Sequence, residues 1–330
     1  MPLSWSVLDL DCASEVDRIC ESLRESTVRL LRKRGAVVAI SGGVDSAVCA
    51  ALAARAFGPE RVLGLILPER ESSPNSSGQA RSLAAHLGIR HVEQDVTQIL
   101  EMLGCYRFRD EAARRVLPAY GLGWRMKITL AGGLQGGINH YRLIARAPDG
   151  VCHELRLGLR EYLEIVAATS FKQRVRKTLE YFHADRMNYA VVGTPNRLEY
   201  DQGFFVKNGD GSADIKPIAH LYKSQVYALA THLGLPATIA AAPPTSDTYS
   251  LPQGQEELYF GLPFRELDLA LWALDHGIPV AELAKTLEMT EEEARNVYQD
   301  IGSKRRASRY LHESPLLVDP YRTAYSDHKN

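Results

Sequence analysis

The sequence predicts a doubly wound α/β protein, a Rossmann-like parallel sheet with helices on both faces, on three observations. Four short runs rich in Val or Ile recur along the chain: AVVAI at 36–40, RVLGLILP at 61–68, HVEQDV at 91–96 and YAVVGT at 189–194. Each follows a stretch of helical spacing, and three of the four open into a polar loop at their carboxyl end. Short apolar strands separated by helices build a parallel sheet buried on both faces. Ligands of such sheets sit beyond the carboxyl ends of the strands, so the three loops mark the candidate site.

Taken in order, residues 14–34 carry Val16, Ile19, Cys20, Leu23, Val28, Leu30 and Leu31 at a mostly helical period and end in RKRG, so a helix stopping at Gly35 is expected. The first strand then enters Ser41-Gly42-Gly43-Val44-Asp45-Ser46, with an Ala-rich helix starting near Ser46. Glycines let the backbone approach an anion, successive N–H groups turn inward, and the helix aims its positive end at the same place. Ser41 and Ser46 add hydroxyl donors. Asp45 fits beside a phosphate only with a cation between them, which implies a Mg²⁺-bound pyrophosphate. The loop matches neither G-x-x-x-x-G-K-[ST] nor G-x-G-x-x-G, which disfavours kinases, GTPases and dehydrogenases.

The second strand opens into Pro68-Glu69-Arg70-Glu71-Ser72-Ser73, and the fourth into Gly193-Thr194-Pro195-Asn196-Arg197-Leu198-Glu199. Between them HYRLIARAPDGVCHELRLGLREYLEI alternates apolar and polar residues on both sides of Pro-Asp-Gly, the pattern of a β-hairpin. FRELDLALWALDHG and TEEEARNVYQDIGSKRRASRYL have helical periods and are expected to pack on the sheet domain or on a second subunit. The expected organisation is a single domain over 1–313 with an insert at about 105–168, followed by an aperiodic tail at 314–330 expected to be disordered.

Composition narrows the class. The chain has 330 residues, enough for a full core, and its net charge of -1 draws neither nucleic acid nor an anionic membrane non-specifically. Five scattered cysteines without a C-x-x-C pair, an acidic N-terminus and no apolar run of membrane-spanning length lead to the expectation of a cytoplasmic protein. His140, His153 and His183 lack metal-ligand spacing.

SGGVDSA after a buried strand resembles the pyrophosphate loop of the ATP pyrophosphatases, a group that includes the NAD, GMP and asparagine synthetases and tRNA-thiolating enzymes. The block VVGTPNRLEYDQGFFVKNGDGSADIKPIAHLYKSQVYALATHLGLP at 191–236 and PPTSDTY at 243–249 narrow the resemblance to the ammonia-dependent NAD synthetase family, from about Val16 to the KRR at 304–306. The resemblance implies a homodimer that uses ATP and Mg²⁺ to join ammonia to the nicotinate carboxylate of deamido-NAD. The carboxylate first forms an acyl-adenylate and releases pyrophosphate; ammonia then displaces AMP.

It further implies Ser41, Gly42, Gly43, Val44, Asp45 and Ser46 on the ATP phosphates, Asp45 and Glu199 as metal ligands, and Lys223 and Thr245 steadying the phosphates being cleaved. Thr194 would face the adenosine side, and Lys207, Asp210 and Asp214 lie in the segment that closes over the dinucleotide. Either Asp210 or Asp214 would hold ammonium and take its proton. Taken singly, Asp210 is an ordinary turn residue, Glu199 and Asp201 are solvated charges, and Lys223 is a surface helix end; only together do they indicate a site.

Two departures stand out. Where the family carries Asn-x-x-Ala-Arg at the acceptor end, this chain has Ser170 to Arg174, SFKQR, keeping Arg174 and replacing the Asn by Ser170. This leaves open a different carboxylate or a substitute hydrogen bond. The insert is either a surface decoration or dimer contact, or a lid or docking site for an ammonia supplier. About thirty-five residues precede AVVAI, too few for a glutamine-hydrolysing domain, so the nitrogen source is expected to be free ammonia or a separate glutaminase. The alternatives to NAD synthesis are an adenylating amide ligase for another carboxylate and an inactive nucleotide-binding regulator.

Overall fold

The computed structural model describes residues 3–131, 140–245 and 248–318. Helix α1 (Cys12–Arg24) starts at Asp11, whose carboxylate accepts the Ser14 N–H at 3.2 Å, and buries Val16, Ile19, Cys20 and Leu23. It does not run on to Gly35. Beyond Arg24 the turns widen, with Leu31 N–H reaching Ser26 O and Lys33 N–H reaching Thr27 O, and Arg32 takes a left-handed φ of 53°. Val28, Leu30 and Leu31 are exposed, so no apolar face rewards a continued α-helix there.

The chain then alternates as expected: β1 (Ala36–Ala39), α2 (Val44–Phe57), β2 (Val62–Ile66), α3 (Pro74–His86), β3 (Arg90–Glu93), α4 (Thr97–Met102) and α5 (Cys105–Val116). A second sheet follows, β4 (Arg125–Ala131), β5 (His140–Arg146) and β6 (Cys152–Arg156), and the long α6 (Leu159–Met187) returns the chain to β7 (Ala190–Val192). The remaining elements are α7 (Arg197–Gln202), α8 (Lys223–His232), α9 (Ala237–Ala240), α10 (Phe264–Asp275), α11 (Val280–Thr286) and α12 (Glu291–His312).

The main sheet has the order β3-β2-β1-β7, all parallel, with Ala36 opposite both Val62 and Ala190. The strand order reverses at β1, so a crevice opens between the carboxyl ends of β1 and β7. Successive β1 residues serve opposite layers: Ala36, Val38 and Ile40 join the core under α1, α2 and α8, whereas Val37 joins Leu63, Leu65 and Val191 under α4, α5 and α6.

The expected hairpin is present as β5 and β6, paired antiparallel around Pro148-Asp149-Gly150, with Gly150 at φ 90°. It is not alone, because β4 pairs along the other side of β5 and makes a three-stranded sheet. Leu143 and Ala145 are fully buried against Ile165 of α6, Ala112 and Ala113 of α5 and Tyr249. Helix α6 runs through residue 168 without a break.

The C-terminal helices pack on the main domain, with Leu267, Leu271, Val297 and Ile301 in one core with Leu198 and Tyr222. The basic run is absorbed by this packing: Lys304 pairs with Asp300 at 2.6 Å, and Arg305 with Asp201 at 2.8 Å and Asp275 at 2.7 Å. Asp201 is therefore a paired charge rather than a solvated one. Residues 314–318 form neither helix nor strand, and the rest of the expected tail lies outside the described residues. Among the described residues no helix is long and apolar enough to cross a membrane, and all five cysteines are free thiols.

Candidate active site

A cavity of about 460 Å³ opens at the β1/β7 crevice. Its floor is the turn after β1. Gly42 adopts φ 87°, and a Cβ there would stand 2.9 Å from Ser76 O, so both the conformation and the close approach of α3 require glycine. Gly43 caps α2, which begins at Val44, two residues before the start expected from sequence. Ser46 therefore sits inside the first turn, where its hydroxyl donates to Gly43 O at 3.0 Å and accepts the Ser41 N–H at 3.2 Å. Ser41, Gly43, Asp45 and Ser46 line the cavity, whereas Gly42 backs onto α3 and Val44 points into the core. The first-turn N–H groups and the helix dipole make this an anion-binding end.

Asp45 lies in a buried cluster. Its Oδ1 accepts Asn196 Nδ2 at 3.0 Å, and its Oδ2 is paired with Lys223 Nζ. Asn196 caps α7 reciprocally with Glu199: the Glu199 N–H donates to Asn196 Oδ1 and the Asn196 N–H to Glu199 Oε2, both at 3.2 Å. The other Glu199 oxygen accepts Gln255 Nε2 at 2.9 Å. Burial, then the like charge of Asp45, pushes the Glu199 carboxyl up to about 7. Burial works against the Lys223 ammonium, but Asp45 and Glu199 hold it above its ordinary range. Lys223 is thus a core group and Glu199 a half-buried group lining the cavity, neither of them a surface charge.

Two carboxylates sharing a single buried cation suit a further hard cation, which would relieve their repulsion. Among the described residues no group of three or more His, Cys, Asp or Glu is arranged to hold a metal. Asp45 and Glu199 would therefore hold Mg²⁺ with phosphate oxygens and water completing its shell, the usual arrangement for that ion.

Lys223 is fixed from behind by α10, where Asp268 accepts the Lys223 N–H at 3.1 Å and the Ser224 N–H at 2.7 Å. Burial pushes the Asp268 carboxyl up to about 6 from an ordinary 3.8. Between these values the folded chain holds a proton that the unfolded chain has released. Asp268's contribution to stability is therefore greatest below about pH 4 and falls by about 3 kcal/mol as the pH rises to about 6. Urea unfolding across that window is expected to show this fall in the wild type and to show it reduced in Asp268→Asn.

Thr194, Thr245, Ser170 and Asp210 also line the cavity. Thr245 forms an isolated bridge with Gly254, and the adjoining Ser246 and Asp247 lie outside the described residues. Asp210 accepts the Val206 N–H at 2.8 Å, and burial raises its carboxyl. Its loop presses on α6, since a Cβ on Gly209 would stand 2.9 Å from Gln173 Cβ. The Ser170 hydroxyl donates to Val166 O of its own helix at 2.8 Å.

Lys223 does not line the cavity but meets it through Asp45, and three further expected residues are not brought to it, each being engaged with backbone elsewhere. Asp214 accepts the Val191 N–H at 2.7 Å. Lys207 donates to Tyr310 O at 2.6 Å and Glu313 O at 3.2 Å at the carboxyl end of α12. Arg174 is exposed and donates to Lys207 O at 3.3 Å.

Other residues at the site were not singled out from sequence. Asn196 and Gln255 orient the two carboxylates; the Asn-x-x-Glu spacing of a capping box was the available signal for the first. On α6, Arg176 donates to Leu67 O at 2.9 Å, and Lys177 and Glu180 form a buried pair at 2.6 Å, all lining the cavity. Behind it, Lys172 Nζ meets Glu69 at 2.9 Å, Glu71 at 2.7 Å and Thr248 O at 2.8 Å. Arg109 grips Glu71 at 2.5 and 2.6 Å, and the Tyr106 hydroxyl donates to Glu69 at 2.7 Å.

The sequence matches the family model described as NAD synthase over residues 15–128 and 151–310. The chain belongs to this family. An "NH(3)-dependent NAD(+) synthetase" of Rhizobium rhizogenes is 51% identical over 319 residues, covering 96% of each chain. A protein of the same description from Thermotoga neapolitana is 35% identical, covering 90% of this chain and 97% of its own. Among solved structures, an NMN synthetase from Francisella tularensis shares the NAD synthase fold at a TM-score of 0.64 and 23% identity, covering 94% of this chain and 99% of its own. The NH3-dependent NAD synthetase of Campylobacter jejuni does so at 0.63 and 20%, covering 94% and 100%.

Proposed function

We propose that the chain is an ammonia-dependent NAD synthetase that adenylates the nicotinate carboxylate of deamido-NAD with ATP and then exchanges AMP for ammonia. One observation carries this: Asp45 and Glu199 line a single cavity beside a glycine-built helix N-terminus, and the buried Lys223 behind them pairs with Asp45. Neither step needs a protein nucleophile; both need charge on phosphate oxygens neutralised and two reactants aligned. The α2 amides and Ser46 bind and orient the phosphate chain, Asp45 and Glu199 hold the cation, and Lys223 keeps Asp45 in place. Mg²⁺ supplies, when bound, Lewis-acid neutralisation of the phosphate charge. Asp210, the cavity-lining acid of the two candidates, takes the proton that ammonium must lose before neutral ammonia attacks the acyl carbon and AMP leaves.

The working unit is proposed as a homodimer, with the exposed Leu159, Leu163 and Phe182 of α6 supporting a second copy. Ammonia is proposed to arrive free or from a separate glutaminase. A second reading, a ligase for a different nicotinate-like carboxylate, is favoured by one observation, the Ser170 hydroxyl being spent on its own helix.

The test is to incubate the purified protein with ATP, Mg²⁺, ammonium and deamido-NAD, with nicotinate mononucleotide as a parallel acceptor, and to follow amide product, AMP and pyrophosphate. Equimolar NAD and AMP, dependent on Mg²⁺, is the expected result. Preference for the mononucleotide would favour the second reading, and ATP binding without turnover of either would refute both.

A further inference from the structure

One described residue lining the cavity comes from outside the stretches that match the family model. Residues 129–150 fall between the two matched segments, and within them Tyr141 of β5 lines the cavity. Its ring stacks on that of Tyr162 of α6, centroids 4.1 Å apart and planes within 13°. The placement follows from the strand. Leu143 and Ala145, on the same face of β5, are fully buried under α5 and α6, and Tyr141 stands two residues further along, where that core gives way to the cavity. Tyr162, Val166 and Ser170 succeed one another turn by turn on α6, and the Ser170 hydroxyl is turned back to Val166 O. The paired rings therefore border a strip of small side chains, with space in front of them.

We propose that Tyr141, backed by Tyr162, is a specificity-determining residue that packs on the pyridinium ring of the acceptor, which makes strand β5 part of the substrate site. An N-ribosylated pyridine carries a fixed positive charge, and the face of a tyrosine ring attracts such a cation; the adenine of ATP is neutral and gains less from it. This inference rests on the proposed function above, and the experiment separates the two.

Steady-state kinetics on the full chain supply the test. Tyr141→Leu keeps an apolar side chain on β5 and is expected to raise the KM for deamido-NAD by about tenfold, with the KM values for ATP and ammonium within about twofold of wild type. Tyr141→Phe keeps the ring and is expected to stay within about threefold. Arg142→Ala, on the opposite face of β5 where Arg142 pairs with Glu154, should move none of the three constants and controls for disturbance of the sheet. If Tyr141→Leu does not fold, Tyr162→Leu carries the same expectation from α6. An unchanged KM for deamido-NAD, or a rise in the KM for ATP instead, overturns the inference. Failure of the wild type to make NAD from deamido-NAD would refute the proposed function, whereas wild-type turnover with an indifferent Tyr141→Leu would refute only the role of Tyr141.

Discussion

Asp45→Asn is expected to lower the rate of NAD formation by about a thousandfold or more while leaving the chain folded. The substitution keeps the shape of the side chain and the oxygen that accepts Asn196 Nδ2. It removes the charge that faces Lys223, but Lys223 retains Glu199, whose carboxyl is then freed from the like charge that helps push it up. The cluster stays compensated, so the cost in stability is small. The proposed cation site, in contrast, would lose one of its two carboxylates, and with it the means of neutralising the phosphates. Parallel measurement of NAD and AMP at saturating substrates, with a thermal melt, checks both halves. A variant that folds and keeps a tenth of the wild-type rate would contradict this assignment of Asp45.

Lys172→Met is expected to have the largest effect on stability, a loss of about 3–5 kcal/mol. Lys172 is 1% exposed and lies between Glu69 and Glu71, both buried. Arg109 still serves Glu71 once the ammonium is gone, but Glu69 is left with only the Tyr106 hydroxyl and the Glu71 N–H, too little for a buried carboxylate. Adding Glu69→Gln should therefore recover more than half of the loss, because it removes the uncompensated charge. Urea unfolding of the two variants tests this, and a loss below about 1 kcal/mol in the single variant would show that the cluster is compensated in another way. The same lysine holds Thr248 O, so the single variant is also expected to loosen the segment that carries Thr245.

The parts of the fold legible in the sequence were those where backbone geometry restricts the residue type. Three of the four parallel strands announced themselves as apolar runs closed by glycine or proline, whereas β3 (RHVE) is mostly exposed and closed by neither, and the phosphate loop was legible because Gly42 cannot be anything else. Strand β4 escaped notice because RMKITLA mixes charged and apolar residues with no turn signal of its own. The charges of α6 were illegible for a different reason. Lys172, Lys177 and Glu180 lie within three turns of one helix, and nothing local separates a buried charge from one in water; Lys172's partners Glu69 and Glu71 lie about a hundred residues away, and the Lys177–Glu180 pair has the same i,i+3 spacing as a solvated surface pair. Of the residues that the family resemblance singled out, Glu199 and Asp210 line the cavity and Lys223 pairs with Asp45 behind it, but the resemblance could not say that Lys207, Arg174 and Asp214 spend their side chains on backbone groups.

The Asp149-Gly150 turn offers a practical handle. The exposed Asp149 stands at its tip, next to Gly150, whose φ of 90° reserves that position for glycine, and it lies eight residues along the hairpin from Tyr141, roughly 25 Å in extended chain. A small tag or fluorophore tethered there would ride on the same strand as the aromatic wall without entering the cavity, so immobilisation on a sensor surface and optical reporting of ligand entry can share one attachment point.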